Sequence, residues 1–390
     1  MQMDTINLNI TGDVFLGRRI EALAVQDPRS LFDEKVLRLF SNSDFNIVNL
    51  ESPLTKAPET DQLIKTGPNL KAGPETIGVL EVLNTNLATL ANNHIFDYGQ
   101  KGLSDTMELL QEHHIQTVGA GESLKEASGI FLQTIRGITF AVVNIAENEW
   151  CNASESRGGA NPMDIVANTR SIRKAKEMAD HVILIIHGGH EFYYSPSPRM
   201  VEQYRFYAEQ GASLIAGHHS HCVSGYEIYQ GVPIFYGLGN FLFDANTQFE
   251  GWYEGMVLNV QLKPDKKVSF SLHPYSQCRK GLKVELLEGT EKARLEQTIS
   301  QINSILADPE KTRQSFNEFI ARQQASVLSM FSTSYFINNR YFRSAIRKSG
   351  LERFFLRRSQ LKSVLNYFRC ESHKEISNKV LMDYIYKNKK

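Results

Sequence analysis

Short apolar runs recur along the first two-thirds of this chain, each closing on polar or ionisable residues and most followed by a helical pattern. That rhythm constrains the fold more than any other feature. INLNITGD (Ile6 to Asp13) precedes a helical stretch near Arg29 to Ser41, and FNIVNLE (Phe45 to Glu51) runs into a polar loop with Pro53, Pro58 and Pro68. NLATLANNH (Asn86 to His94) is followed by GQKGLSDTMELLQEHH, where Leu103, Met107, Leu109 and Leu110 form an apolar face at helical spacing. ITFAVVNIAEN and HVILIIHGGHE flank a Lys-rich amphipathic helix from Asp164 to Asp180, and ASLIAGHHSH and GVPIFYGLGNF complete the set. Alternating strands and helices predict an α/β fold, and continuous apolar runs predict strands covered on both faces. After Phe243 the pattern changes. EGMVLNVQLKPDKKVSFSLHPY predicts an antiparallel hairpin turning at Pro264-Asp265, and the composition is helical from about Leu286. The expected organisation is therefore a body at 1–285 and a helical, basic region at 286–390.

A length of 390 residues accommodates one large domain with an appendage, or two domains. The four cysteines, Cys151, Cys222, Cys278 and Cys370, form no C-x-x-C pair, which suits a reducing compartment better than a disulfide framework. The N-terminus, MQMDTINLNITGD, has no basic segment followed by an apolar one, and no window approaches 18 uninterrupted apolar residues. Neither a signal peptide nor a membrane-spanning helix is expected, so the expected location is cytoplasmic, with association at a membrane surface left open. Lys and Arg balance Asp and Glu at 43 each, but unevenly: residues 340–390 hold 14 basic and 4 acidic side chains, the remainder 29 and 39. A basic tail follows an acidic body.

The polar residues that close the apolar runs carry the chemistry. Asp13 closes the first, Glu51 the second, Asn93 and His94 the third; His187 closes a later one, and His219 with His221 the next. Ligands of α/β sheets bind at the C-terminal ends of strands, so these residues are expected along one edge. Each has an ordinary alternative: Asp13 and Glu51 as turn or cap residues, His187 as a buried core histidine. Together they point to a metal or catalytic centre. Strand alternation would place His219 and His221 on one side and turn His218 away, into a structural or supporting role. Two carboxylates, an amide and imidazoles, without cysteine, suit Mn, Fe or Zn ions. Six candidate ligands exceed what one zinc needs and fit two ions about 3.5–4 Å apart, with His94 free to donate a proton.

The motifs TGDVFLGRR, NLESPLT, LANNHIFDYGQKGL, HGGHEFYYSPSPRMVEQYRFYAEQGASLIAGHHSH and YGLGNFLFD stand in one order here, and in that order they resemble the CapA family of capsule and poly-γ-glutamate synthesis proteins, whose fold is similar to the calcineurin-like metallophosphoesterases. The resemblance runs from about Asn7 to Asp244. It implies a four-layer α/β/β/α sandwich of metallophosphoesterase type with a C-terminal helical appendage, holding one or two divalent metal ions per chain. By resemblance Asp13 is a ligand of one metal, Glu51 the bridging carboxylate, and Asn93 and His187 ligands of the other metal. His219 and His221 divide between the two, and His94 faces the substrate. Asp97, Glu191 and Asn240 line the site, with Asp97 and Glu191 grouped beside His94 as catalytic candidates. The chain departs from the family pattern at Gly188, where a tryptophan is usual, at Ser220, where proline is usual, and, relative to the calcineurin-like enzymes, at Phe15 in place of histidine. Set against the resemblance, these departures imply that one aromatic pocket wall is missing and that one metal is weakly held or absent, and members often carry an N-terminal anchor that is not seen here.

The implied activity is that of a metal-dependent hydrolase or transferase, acting on a phosphoester in the biosynthesis of capsule, poly-γ-glutamate or a related envelope polymer. Amide or ester hydrolysis in polymer release, and a non-catalytic scaffold in a synthesis complex, are the alternatives. The expected partner is an anionic polymer or phosphoester substrate. The tail, YFINNRYFRSAIRKSGLERFFLRRSQLKSVLNYF, mixes aromatics with arginine; docking on the acidic body or a plain solvated face ranks first, an anionic membrane or synthase complex next, and nucleic acid last for want of a motif.

Overall fold

Three buried apolar clusters, stacked one behind another, define the layers of the body. The computed structural model describes residues 5–331, 348–349 and 358–387. Its strands are β1 (Ile6–Phe15), β2 (Phe45–Leu50), β3 (Leu87–Thr89), β4 (Gln116–Val118), β5 (Ala120–Gly121), β6 (Phe131–Ile135), β7 (Ile138–Ala146) and β8 (Gly159–Ala160). They continue with β9 (His181–His187), β10 (Leu214–His218), β11 (Tyr226–Tyr229), β12 (Val232–Phe235), β13 (Asn240–Phe243), β14 (Glu254–Leu262), β15 (Val268–Gln277) and β16 (Val284–Leu286). One sheet has the order β16-β15-β14-β1-β2-β3-β4, with β13 also beside β1; the second has the order β11-β12-β10-β9-β7-β6.

The helices of the body are α1 (Arg19–Gln26), α2 (Glu34–Ser41), α3 (Gly78–Val82), α4 (Gly99–Glu112), α5 (Leu124–Ala127), α6 (Ile165–Met178) and α7 (Pro198–Gln210). Val48, Leu50 and Ala88 of the first sheet pack with Val36 and Phe40 of α2 and with Leu103 and Leu110 of α4. Ile47 and Leu87, on the opposite face, meet Phe140, Val142, Ile183, Ile185 and Leu214 of the second sheet. Ala141, Val143, Val182 and Leu184 then turn outward onto Ile172 of α6 and Tyr204 and Tyr207 of α7. Period-two alternation feeds one cluster from each face, so the order of layers is α/β/β/α. Each fully buried branched or aromatic side chain contributes roughly 1.5–3 kcal/mol to holding the layers together.

The helices begin where their caps stand. Asp33 accepts from Val36 N at 2.6 Å, Asp164 from Ala167 N at 2.8 Å, and Ser197 from Met200 N at 3.3 Å with Pro198 next in line. The helix expected near Arg29 starts later, at Glu34, because Pro28–Leu31 form a separate 3₁₀ turn.

Strand β1 holds an irregularity on which the site depends. Ile6, Leu8 and Ile10 face the second sheet, yet Val14 and Leu16, of the same parity, face the helices. The pairing of β1 with β2 shifts between Ile10 and Asp13, and this slip inverts the alternation. Gly12 makes it sterically feasible, since a Cβ there would overlap the carbonyl oxygen of Gly239. Asp13 N donates to that same oxygen at 3.0 Å.

β14 and β15 pair antiparallel around the turn at 263–267. Beyond β16, α8 (Gly289–Leu306) sends Leu295 and Ile299 into the cluster between the sheets, so it packs as part of the body. α9 (Pro309–Phe331), α10 (Arg358–Arg369) and α11 (Glu371–Lys387) follow. Phe316, Phe319 and Ile320 of α9 and Ile376 and Val380 of α11 close around Tyr193 of the body. Most of the aromatic and arginine stretch of the tail, residues 335–347 and 350–357, lies outside the described residues. Where α11 meets the body it uses acids. Glu371 accepts from Asn148 N at 2.9 Å, and Glu375 accepts from Ser197 Oγ at 2.8 Å and Arg199 Nε at 3.0 Å. No helix among the described residues is long and apolar enough to cross a membrane.

Candidate metal centre

The six residues expected as ligands converge at one border of the two facing sheets. Glu51 follows directly on β2, His187 ends β9, and Asn93 lies four residues past β3. Glu51, His187 and His219 each offer a ligand atom within 4.8 Å of the others, and so do Asp13, Glu51 and His221. Glu51 belongs to both groups. Asn93 Oδ1 adds a further oxygen, 3.1 Å from His187 Nε2. That same Nε2 is 3.2 Å from His219 Nδ1 and 3.6 Å from Glu51 Oε1.

Asp13 is not the last residue of its strand, as expected, but lies inside β1, aimed inward by the slip at Gly12. The expectation for His219 and His221 also needs correction. β10 ends at His218, and the next residues do not alternate as a strand; His219 and His221 both take left-handed backbone, with φ of 83° and 55°. The turn aims His219 N at Asp13 Oδ2, 3.1 Å away, and such backbone in a non-glycine residue marks a constrained site. His218 supports rather than joins the clusters. Its Nδ1 lies 2.9 Å from Asp13 Oδ1.

The residues fit a cation. Both carboxylate oxygens of Glu51 are fully buried and have no hydrogen-bond partner among the described residues. Burial, then the charge of Asp13, pushes its carboxyl well above the usual range. A buried carboxylate in that state, facing imidazole nitrogens, is unfavourable unless a positive ion sits between them. Burial works against ionisation of Asp13 too, yet the His218 hydrogen bond holds its carboxyl low. Burial, then the neighbouring His219, keeps His187 neutral, the form in which imidazole ligates.

Beside the clusters lies a buried polar group that sequence reasoning only half found. His94 Nδ1 is 2.6 Å from Asp97 Oδ2, and Lys65 pairs with the other oxygen of Asp97. Lys65 Nζ is also 3.1 Å from His94 Nδ1, and Leu70 N donates to Asp97 at 2.6 Å. Burial first, then Lys65, pushes His94 down to about 4. Lys65 gives no sequence signal in its loop, and neither does Asn49, which reads as an ordinary strand residue. Asn49 Nδ2 donates to Asp13 Oδ1 at 2.8 Å and lies 3.4 Å from His187 Nδ1. Glu191, an exposed residue in the largely buried loop after β9, is close enough to His219 and His221 to interact electrostatically.

Two of the departures from the family pattern, Gly188 and Phe15, have local surroundings that suit them. A side chain at Gly188 would collide with Glu147, which fills that wall together with Arg199 and Ser372. Phe15 packs against Phe243, and Phe243 and Trp252 enclose the His221 ring at 5.3 and 4.6 Å. Asn240 Oδ1 accepts from or faces His221 Nδ1 at 2.9 Å, fixing the ring.

Two sheets between helical layers, with a buried histidine and carboxylate cluster where the sheets meet, define a four-layer α/β/β/α protein with a candidate metal centre. Residues 7–245 match the family described as "Bacterial capsule synthesis protein PGA_cap", and the chain belongs to that family. It is 32% identical over 277 residues to the PGA biosynthesis protein CapA of Bacillus subtilis (strain 168), covering 70% of this chain and 71% of that protein. It is 30% identical over 256 residues to the capsule biosynthesis protein CapA of Bacillus anthracis, covering 64% and 61%. Among solved structures, the NAD nucleotidase of Haemophilus influenzae aligns over 83% of this chain and 61% of that chain, at 14% identity and a TM-score of 0.42. The layer order rests on the three cores and not on that likeness.

Proposed function

We propose that this chain is a metal-dependent phosphoester hydrolase or transferase acting in the biosynthesis of capsule, poly-γ-glutamate or a related envelope polymer. The observation that carries this reading is Glu51, shared by two ligand groups and left with two unpartnered buried oxygens. Divalent Mn, Fe or Zn ions bound there would supply Lewis acidity toward water and toward the oxygens of the electrophile. The rest is done by side chains of this chain. Asp97 holds Nδ1 of His94, leaving Nε2 as the atom that exchanges a proton with substrate. Lys65 fixes Asp97 in turn. Asn49 and His218 orient Asp13, and Asn240 orients His221. Phe192, exposed at the rim with a left-handed φ of 61° and 6.1 Å from the His221 ring, gives the mouth an apolar face toward substrate. The capsule and poly-γ-glutamate context comes from the names of the two Bacillus relatives.

The test is to load the purified chain with Mn²⁺, Fe²⁺ or Zn²⁺ and assay an aryl phosphodiester, an aryl phosphomonoester and a γ-glutamyl amide. Phosphoester turnover that falls about 100-fold or more in His94→Ala, with metal retained, supports the reading. Turnover of the amide alone moves the reaction to carbon. Bound metal without turnover of any of the three, alongside polymer production in cells indifferent to His94→Ala, leaves a scaffold.

A further inference from the structure

Outside the centre, one cluster joins the body to the C-terminal helices. We infer that Glu149, Cys370 and His373 form a separate metal site of zinc type that fastens these helices beside the centre. Glu149 is far in sequence from Cys370 and His373, which lie close together, yet each of the three offers a ligand atom within 4.8 Å of the others. Cys370 and Glu149 are buried and His373 is partly so. A thiolate, an imidazole and a carboxylate are a mixed S/N/O set, which selects Zn²⁺ over the hard cations that prefer oxygen alone. Bonds of about 2.0–2.3 Å require the ligand atoms to close by only about 1 Å around the ion. One thiolate and one carboxylate would leave the site neutral.

The surroundings hold the ligands in place from both sides. Arg369 Nη2 donates to Glu149 O at 2.9 Å, and its guanidinium lies over the Trp150 ring at 5.2 Å. Asn148, next to Glu149, donates to Glu371, next to Cys370. Asn366 meets His373 Nδ1 at 3.2 Å, which leaves Nε2 as the nitrogen open to an ion. As placed, Asn366 donates through Nδ2 while its Oδ1 is buried without a partner. Turning the amide over would let Oδ1 accept from Nδ1–H, the arrangement that a metal-ligating histidine requires of its outer partner. The turned amide satisfies Oδ1 and leaves Nδ2 in its place, and an ion accounts for the convergence of three ligand types.

The site borders the centre without sharing its ligands. Glu149 Oε1 is 3.8 Å from His219 Nε2, so one carboxylate stands between the two. An ion on Glu149 would tie α10 and α11 to the edge of the centre. The inference does not depend on which bond the centre breaks.

The experiment uses the full chain, stripped with a chelator and titrated with Co²⁺. A thiolate ligand gives a near-ultraviolet charge-transfer band that the nitrogen and oxygen ligands of the centre cannot give. The expected result is such a band in the wild type, lost in Cys370→Ser and kept in a His221→Ala variant. Zn²⁺ content by mass spectrometry should fall by one ion per chain in Cys370→Ser. Should that variant not fold, His373→Ala should weaken Co²⁺ binding at the band at least 10-fold. A wild type without the band at saturating Co²⁺ would overturn the inference. So would a band that survives Cys370→Ser, or ion counts equal in the two proteins.

Discussion

His218 Nδ1 lies 2.9 Å from Asp13 Oδ1, while His218 Nε2 is buried without a partner among the described residues. The ring spends its one hydrogen bond on orienting a carboxylate that faces the candidate centre. His218→Phe should preserve packing volume and release Asp13, lowering affinity for Mn²⁺ or Zn²⁺ by about 10- to 100-fold. Isothermal titration of the chelator-stripped protein would read this, and an unchanged affinity would remove His218 from the support of the site.

Glu51→Gln should separate stability from metal binding. Glu51 carries two unpartnered buried oxygens beside Asp13, so the neutral amide relieves repulsion in the metal-free chain. Metal-free Glu51→Gln should be more stable than metal-free wild type by about 1 kcal/mol. Added Mn²⁺ should raise the melting temperature of wild type and leave the variant where it was. A variant stabilised by metal as much as wild type would show that Glu51 does not hold the ions.

Lys65 and Asp97 are both almost fully buried, with side chains 3% and 0% exposed. Lys65→Met should destabilise the chain by about 3–5 kcal/mol in urea unfolding, because it strands the Asp97 charge. Lys65→Met combined with Asp97→Asn should recover part of that loss. A double variant whose loss equals the sum of the Lys65→Met and Asp97→Asn losses would mean that the pair is not coupled.

His181 sets a pH dependence away from the centre. Its Nε2 faces Lys263 O at 2.9 Å, linking the second sheet to the hairpin of the first, and its Nδ1 is buried without a partner among the described residues. Burial lowers its pKa from 6.5, against the opposing effects of the Lys263 carbonyl and Asp180, with Lys266 lowering it further. The folded value lies below the unfolded one, so the contribution to stability is complete above about pH 6.5 and is lost as pH falls. The loss approaches about 1.4 kcal/mol per pH unit while the folded ring stays neutral. Urea melts of His181→Gln from pH 7.5 to 5 should show a shallower slope than wild type; parallel slopes would refute the assignment.

Gly12→Ala should cost about 3 kcal/mol or prevent folding, since the added Cβ overlaps Gly239 O where β1 and β13 meet. Gly137→Ala is the control: its φ of 79° also disfavours a side chain, but nothing stands within 4 Å of the new Cβ. A milder effect at Gly12 than at Gly137 would show that the close approach is not needed.

The α/β alternation, the hairpin and the positions of Glu51, Asn93 and His187 could be read from the sequence because each follows an apolar run that closes a strand. Periodicity is a local signal, and these features are local. The slip at Gly12 is not, since it is forced by a backbone more than 200 residues away. The left-handed turn at His219 and His221 escaped for the same reason, being set by where Asp13 lies. Asn49 and Lys65 are ordinary strand and loop residues until tertiary contacts place them. Cys370 and His373 sit 221 and 224 positions beyond Glu149, and no spacing rule spans that gap.

The pairing of β1 has a consequence for the order of events during synthesis. Asp13 emerges among the first residues, but its backbone partner is Gly239, and Ile6 pairs with Leu262. Until the ribosome has made these late strands, the slip between β1 and β2 lacks the Gly239 carbonyl that holds Asp13 N. A nascent chain can therefore display Glu51, Asn93 and His187 in a partial sheet without a seat for the ions. Loading with metal belongs to the nearly finished polypeptide, and a message truncated before residue 239 would encode a protein unable to assemble the centre.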